Sequence, residues 1–108
     1  MKHHPEDLSD LGRFSEPALL ILISLADGPK HGYAMTQDIA AVSGQKLGPG
    51  TLYGAIARLE SRKWIEPLPA DDRRRPYKLT GAGQHVLKAR LEALRAMTRA
   101  ATQRLANA

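Results

Sequence analysis

The stretch that decides the fold runs from Gly48 to Glu60 and reads GPGTLYGAIARLE. Pro49 suits the first turn of a helix, where no backbone N–H is needed, and Gly48 is an acceptable N-cap. Apolar side chains then recur at helical spacing and predict a stripe that packs on a core, formed by Leu52, Ile56 and Leu59. The opposite face is expected to carry small side chains near its start, Thr51 and Ala55, and cationic ones toward its end, Arg58 and Arg62. Such a helix can approach a polyanion closely.

Length and composition limit the chain to one small domain. It has 108 residues, of which 43% are hydrophobic, enough for a modest core but not for an enzyme with a deep enclosed cleft. The sequence contains no cysteine, which excludes disulfides and thiolate metal sites. The longest apolar run is too short to cross a bilayer, and the first residues lack a signal-peptide pattern. We therefore expect a cytoplasmic protein without a membrane segment.

Charge is distributed unevenly along the chain. The net charge is +5, but the first 29 residues carry −3 and the remainder +8. This asymmetry indicates a polyanionic partner for the later elements. No Ser/His/Asp arrangement, phosphate-cradling glycine loop or pair of catalytic carboxylates is evident, and the four histidines lack metal-ligand spacing. We expect no enzymatic activity, no cofactor and no metal.

The first helix is marked by a start signal and a continuous apolar run. Residues 1–14 are polar and are interpreted as an N-terminal arm or a short helix from Glu6 to Leu11. A helix then begins at Ser15 and continues through residues 18–26, which are apolar nearly all round. A helix this apolar in so small a domain favours burial against a second subunit. Collapse onto the chain's own core is the alternative.

A second helix opens at His31 and ends at Gly44. Its expected buried stripe consists of Met35, Ile39 and Val42. Gln37 and Asp38 are expected to face away from the core. Two helices of about three turns joined by a short glycine-containing turn are typical of a helix-turn-helix, whose second helix is the recognition helix. The pattern alone is common among small helical proteins.

Beyond the recognition helix, the pattern predicts a hairpin. Two short extended runs at 64–68 and 75–79 flank a turn at 69–74, and a proline in each run limits both to edge strands. Trp64 is interpreted as a core residue. Considered alone, the run from Arg73 to Arg75 indicates a solvated loop. Beside a recognition helix, it is interpreted as a cationic wing that displaces counterions from DNA phosphates.

The last segment is predicted to be a long helix with Thr80 as its N-cap. Its apolar seam alternates four and three residues apart, at Leu87, Leu91, Leu94, Thr98, Ala101 and Leu105. A helix of roughly 25 residues, at about 1.5 Å each, reaches further than a core this small needs to be covered. We favour a dimer seam over a plain surface helix, and expect it to pack with the first apolar helix of both subunits.

Three motifs resemble the PadR-like transcriptional regulators, which are winged-helix DNA-binding proteins. They are His31-Gly32-Tyr33; Pro49-Gly50-Thr51-Leu52-Tyr53 with Arg58-Leu59-Glu60; and Arg74-Arg75 leading into Tyr77-Lys78-Leu79-Thr80 and Gly83. The resemblance covers roughly residues 16–83. It implies a homodimer held by the first and last helices, a recognition helix in the major groove, and a wing on flanking phosphates or in the minor groove.

The same resemblance places the chain in the shorter branch of the family, in which ligands bind between the helices of the dimer. The chain departs from the family pattern at four positions: Gly48, Gly54, Ala57 and Pro76. The family usually has serine, proline and an aromatic residue at the first, second and fourth of these, and often a basic residue at the third. The first three of these changes leave the recognition helix few side chains for reading bases.

Candidate site residues follow from these features. Tyr33 and Tyr53 lie near helix starts on the expected DNA surface, where a hydroxyl can donate to a phosphate. The candidates for DNA binding are His31, Tyr33, Pro49, Gly50, Thr51, Tyr53, Arg58, Arg73, Arg74 and Arg75. The candidates for dimerisation are Leu19, Leu22, Ile23, Leu87, Leu91, Leu94, Thr98, Ala101 and Leu105.

We therefore expect a mainly α fold with a small β-hairpin wing. An N-terminal arm at 1–14 precedes a winged helix-turn-helix domain at 15–80 and a dimerisation helix at 81–108. The expected function is that of a ligand-responsive repressor that binds double-stranded operator DNA as a homodimer, with a small-molecule effector at the dimer interface. Two alternatives stay open. One is a winged-helix module that contacts an acidic protein, and the other is a small-molecule-binding dimer whose DNA role is secondary.

Overall fold

The computed structural model describes residues 7–108. A 3-10 segment at Leu8–Phe14 is followed by helices and strands in the order α1 (Ser15–Ala26), α2 (Gly32–Ser43), α3 (Pro49–Ser61), β1 (Ile65–Pro67), β2 (Tyr77–Leu79) and α4 (Gly81–Ala106). The predicted mainly α fold, with a hairpin wing and a long C-terminal helix, is confirmed.

Helix α1 is the centre of the core. It contacts the 3-10 segment, the other three helices and β2. Its fully covered side chains are Ala18, Ile21, Leu22, Ser24 and Leu25. Each large apolar side chain buried in this way stabilises the fold by about 1.5–3 kcal/mol. Most of the apolar surface of α1 is therefore covered by its own chain. What remains at the surface is the exposed Ala26 and the half-buried set Leu19, Leu20 and Ile23.

The 3-10 segment belongs to this core. Leu8 and Leu11 are buried against the helices, and Asp7 caps the segment by accepting a 3.0 Å hydrogen bond from the N–H of Ser9. From Leu8 onward, the expected arm is therefore packed structure. Residues 1–6, including His3 and His4, lie outside the described residues.

Helix α2 departs from its predicted orientation at two positions. Met35 and Ile39 are buried as predicted, but Val42, in the last turn of the helix, is 62% exposed, beside Leu20 and Ile23 of α1. Asp38 does not face away: its carboxylate accepts a 2.7 Å hydrogen bond from the hydroxyl of Ser24 on α1. The helix ends at Gly44, whose φ of 76° is the left-handed C-cap conformation that glycine adopts most easily.

Helix α3 begins as its sequence predicts. Gly48 is the N-cap, Pro49 occupies the first turn, and the predicted stripe of Leu52, Ile56 and Leu59 is buried. The prediction that Ala55 lies on the outer face is wrong, since its side chain is fully buried. An alanine can be covered in this way because α3 packs on α1, the 3-10 segment and β1 at once, which widens its buried face.

The wing is a short antiparallel hairpin, with Ile65 paired to Leu79 and Pro67 to Tyr77. Each strand has three residues rather than the predicted five. Lys30, in the loop between α1 and α2, extends the sheet: its N–H donates to the carbonyl of Tyr77 at 3.1 Å and its carbonyl accepts from the N–H of Tyr77 at 2.9 Å. The base of the wing is thus tied to the helix-turn-helix.

Helix α4 starts against the core and then leaves it. Thr80 caps it by accepting a 3.0 Å hydrogen bond from the N–H of Gly83. Gly83 lies so close to Trp64 that a β-carbon there would collide with the tryptophan's carbonyl oxygen. After Leu87 the helix is largely exposed, which makes the molecule elongated, at 55 × 33 × 22 Å. Across residues 7–108, no helix is both long and apolar enough to cross a membrane.

Candidate nucleic-acid interface

The outer surface of α3 carries Thr51, Tyr53 and Arg58, all exposed. Tyr53 leans on the start of α2, where a β-carbon on Gly32 would overlap its hydroxyl and lie 2.9 Å from its ring carbon Cζ. The glycine of the His-Gly-Tyr motif therefore makes room for the tyrosine of the recognition helix. This contact fixes the start of α2 relative to α3.

Arg58 is held along α3 rather than extended away from it. Its Nη1 atom donates a 3.0 Å hydrogen bond to the carbonyl of Gly54, one turn earlier. Its guanidinium also lies over the ring of Phe14, with 3.8 Å between Cζ and the ring centroid. Arg58 therefore places its charge beside Gly54, where the helix itself has no side chain.

The tip of the wing is a tight turn between Asp71 and Arg74, whose backbone groups exchange hydrogen bonds of 2.7 and 2.9 Å. Its two central residues, Asp72 and Arg73, have φ angles of 52° and 72°. Two-residue hairpin turns of type I′ require positive φ at both central positions. Arg75 turns back and donates to the carbonyl of Leu68 at 3.1 Å. Arg73 and Arg74 are therefore the guanidiniums at the tip.

His31 connects the wing to the helix-turn-helix. As the N-cap of α2, it accepts a 3.4 Å hydrogen bond from the N–H of Ala34 through Nδ1, while Nη1 of Arg74 lies 3.2 Å from its Nε2. A neutral imidazole has one acceptor nitrogen, and both neighbours are donors. His31 can therefore accept from Ala34 or from Arg74, but not from both together. When Nδ1 caps α2, Nε2 carries a hydrogen that it can donate.

The three elements form one continuous surface. Tyr53 of α3 contacts Gly32, His31 adjoins it, and Arg74 of the wing contacts His31. Tyr33 projects nearby on α2, 66% exposed, and its hydroxyl accepts a 3.1 Å hydrogen bond from Gln37. Within residues 7–108, no group of three His, Asp or Glu side chains is placed to hold a metal ion.

Comparison with known proteins decides the family. A model of the transcriptional regulator PadR-like family matches residues 21–89 of this chain. The chain belongs to the PadR-like family. Membership implies DNA-binding regulation rather than catalysis, as the motifs had indicated.

Individual proteins are similar to this chain in sequence or in structure. The matched part of this chain spans 22% of the length of one curated relative, an uncharacterized 37.1 kDa transposon protein from Streptomyces fradiae. The two are 50% identical over 76 residues, or 70% of this chain. A transcriptional regulator from Clostridium thermocellum is similar in structure, with 26% identity and a TM-score of 0.73 over 88% of this chain and 94% of that one.

A PadR family transcription regulator from Clostridium difficile shares the fold. It is 24% identical to this chain and has a TM-score of 0.73, covering 82% of this chain and 97% of its own. At that identity, the likeness concerns the fold alone.

The candidate dimerisation residues of this PadR-like chain fall into two groups. Leu22 and Leu87 lie in the core of the single chain and leave no side-chain surface for a partner. The others keep exposed or half-buried surface: Leu19, Ile23, Leu91, Leu94, Thr98, Ala101 and Leu105. Leu105 is 78% exposed near the end of α4.

A groove of about 790 Å³ lies between the 3-10 segment and α4, lined by Leu8, Val86 and Ala89 among others.

Sequence reasoning missed Phe14 and Arg13. Both were assigned to a polar arm, yet the Phe14 ring contacts Arg58 and also has the Arg13 guanidinium 5.1 Å from its centroid. The 3-10 segment therefore brings a cation to α3, although the first 29 residues are net negative. The available signal was that Phe14 is the chain's one phenylalanine, directly before a helix start.

Proposed function

We propose that this chain is a transcriptional repressor that binds double-stranded operator DNA as a homodimer and is released by a small molecule. In this proposal, α3 enters the major groove, while Arg73 and Arg74 contact flanking phosphates or the minor groove. Tyr33, Thr51 and Tyr53 donate to phosphates at the edge of the major groove. Pro49 and Gly50 have little or no side chain, which lets the start of α3 approach the DNA closely. Such regulation takes place in the cytoplasm.

One observation carries the DNA-binding part of this proposal. The contacts from Tyr53 through Gly32 and His31 to Arg74 join recognition helix, α2 start and wing in one surface. A surface of this kind can follow a phosphate backbone on both sides of a groove. Each phosphate that a guanidinium neutralises releases a counterion, so the affinity must depend on salt.

The homodimer is supported by the exposed side of α4. Leu91, Leu94 and Leu105 recur along it with exposed or half-buried side chains, and Leu19 and Ile23 remain half-buried on α1. Helices of this kind are stabilised when a second copy covers their apolar seam. A small-molecule effector is supported by the groove of about 790 Å³ beside α4. Its size suits such a ligand, and its lining combines apolar side chains with polar ones, including His85 and Arg90.

Titration of duplex DNA from upstream of the chain's own gene, over a salt series, tests the DNA-binding part. We expect a linear fall of log affinity with log salt concentration, and a shallower slope for the Arg73→Ala/Arg74→Ala double variant. Arg99→Ala, an exposed cation on α4, is the matched control and should keep the wild-type slope. Absence of binding, or binding independent of salt, would overturn the proposal. Tight binding to an acidic protein in place of DNA would favour the protein-contact alternative.

A further inference from the structure

We infer that Phe14 is a positioning residue of the recognition helix, because its ring fixes the Arg58 guanidinium at the level of Gly54 in readiness for nucleic acid. This inference rests on the proposed DNA-binding function and adds to it a residue outside the helix-turn-helix and the wing. It also assigns a purpose to Gly54, one of the positions where the chain departs from the family pattern.

The three residues form one packed unit. The Arg58 Cζ lies 3.8 Å from the Phe14 ring centroid, and Nη1 of Arg58 donates to the Gly54 carbonyl at 3.0 Å. A β-carbon at position 54 would lie 3.1 Å from Phe14 Cε1 and 3.7 Å from Arg58 Nη1. A side chain at position 54 would therefore press directly on the ring that supports the guanidinium. Glycine leaves space for both groups.

This unit supplies α3 with a cation that its sequence alone does not place. Gly54 and Ala57 offer nothing that can donate a hydrogen bond from the exposed surface of the helix. Arg58 folds back by one turn and brings its guanidinium to that surface. A guanidinium has five N–H donors, and the Gly54 carbonyl takes one of them. The other N–H donors of the planar guanidinium suit a phosphate or the O6 and N7 acceptors of guanine.

Phe14 matters because arginine is long and flexible. An unrestrained arginine loses rotamer freedom when it binds, which weakens the affinity. A guanidinium held over an aromatic face by a cation–π contact is ordered before binding. Phe14 is itself held, since it forms the N-cap position of α1 and packs against the core. The core thus orders a side chain at the DNA surface.

A double-mutant cycle on DNA affinity tests this inference, with the same upstream duplex and a fixed low salt concentration. Phe14→Leu keeps an apolar contact but removes the aromatic face. We expect it to weaken binding roughly two- to fivefold, the range that corresponds to an exposed cation–π contact. In the Arg58→Ala background, the same change should have a clearly smaller effect, because only the more distant contact of the ring with Arg13 is then lost. Phe14→Tyr should retain wild-type affinity, because it keeps the aromatic face.

A second variant keeps the test informative if Phe14→Leu folds poorly. Gly54→Ala gains helix propensity, which offsets the small shift that its β-carbon forces on the Phe14 ring, so it should fold about as well as wild type. We expect it to weaken DNA binding with Arg58 present, by crowding the ring, and to have no effect in Arg58→Ala. Thermal unfolding of each variant separates these effects from a loss of folded protein.

The outcomes separate this inference from the proposed function. If wild type binds DNA and Arg73→Ala weakens binding, while Phe14→Leu weakens it equally with and without Arg58 or not at all, then the inference is overturned and the proposed function stands. If wild type does not bind the duplex, the proposed function fails, and this inference fails with it.

Discussion

Nη1 of Arg74 lies 3.2 Å from Nε2 of His31, so the tip of the wing rests on the N-cap residue of α2. Because a neutral imidazole cannot accept from Arg74 while it also accepts from Ala34, one of the two contacts must give way when the other forms. A DNA phosphate that takes Arg74 leaves His31 free to cap α2 through Nδ1 and to donate through Nε2.

Substitutions at His31 should separate capping from donation. Asparagine and aspartate are both good N-caps. The free energies of unfolding of His31→Asn and His31→Asp should therefore agree within about 1 kcal/mol. Asparagine keeps an N–H donor, whereas aspartate brings a negative charge toward the phosphate. We expect His31→Asp to bind the upstream duplex on the order of tenfold more weakly than His31→Asn. Equal affinities for the two variants would limit His31 to a capping role.

The turn at the wing tip should tolerate glycine better than alanine. Arg73 has a φ of 72°, which costs a non-glycine residue about 1 kcal/mol. Arg73→Gly relieves this strain and Arg73→Ala does not, while both remove the charge. Chemical denaturation should therefore rank Arg73→Gly above Arg73→Ala in free energy of unfolding. If Arg73 neutralises one phosphate, the slope of log affinity against log salt concentration should be shallower by about 0.9 in both variants. A different slope for the two would mean that turn geometry, not charge, controls the contact.

A side chain at Gly32 should disturb the junction of α2 and α3. Gly32→Ala places a β-carbon against the Tyr53 hydroxyl, and overpacking of this kind typically costs about 1–3 kcal/mol. Thermal unfolding should show the loss, and DNA affinity should fall with it because Tyr53 moves. Adding Tyr53→Phe removes the nearest atom and should recover part of the stability. The control is Gly81→Ala at the start of α4, since a β-carbon at that position meets nothing within 4 Å.

Alkaline pH should destabilise the fold through Tyr77. Burial raises the pKa of this phenol above its ordinary value of 10.0, and the charge of Glu60 raises it further, while Arg75 opposes them. Well below pH 10.0 the phenol is protonated in both folded and unfolded chains and adds no pH dependence. Above it, the unfolded chain ionises first, so stability falls as pH rises toward the folded-state pKa. Tyr77→Phe should reduce this alkaline loss, as measured by denaturation at several pH values. Tyr33→Phe, on an exposed ring, should leave the loss unchanged.

The α4 seam should control the oligomeric state. Leu91→Glu puts a charge in the proposed interface, at a position 39% exposed in the single chain. An unpaired polar group buried in an interface costs about 2–3 kcal/mol, which raises the dimer dissociation constant by roughly 30- to 160-fold. Sedimentation velocity should show the shift toward monomer. Ala96→Glu introduces the same charge on an exposed residue outside the seam and should remain dimeric. A wild-type monomer at high concentration would contradict the proposed homodimer.

Local sequence signals were sufficient to predict the helices and strands, but not to predict which side chains each helix buries. Pro49 and the spacing of Leu52, Ile56 and Leu59 determine where α3 begins and which side it buries, and both are found as predicted. Ala55 was placed wrongly because a methyl group fits a solvent face and a core equally well. Asp38 was placed wrongly because its direction depends on Ser24, which lies fourteen positions away.

The parts of the candidate surface that sequence missed are contacts between distant segments. Phe14 and Arg58 share no periodic pattern, and only the packing of the 3-10 segment beside α3 brings them together. The same is true of His31 and Arg74, which are 43 positions apart. Spacing rules describe neighbours on one helix or one strand pair, so they indicate candidate residues without indicating which of them act together.

Lys30 connects the wing to both α1 and α2. Its backbone is paired with Tyr77 of the wing, and its ammonium group donates to the carbonyl of Ser24 in α1 while lying 3.8 Å from the Asp38 carboxylate in α2. One residue is therefore clamped to three elements at once. In the proposed homodimer, a change in the angle between α1 and α2 would act on the base of the wing through Lys30 and so would alter the distance between the two wings.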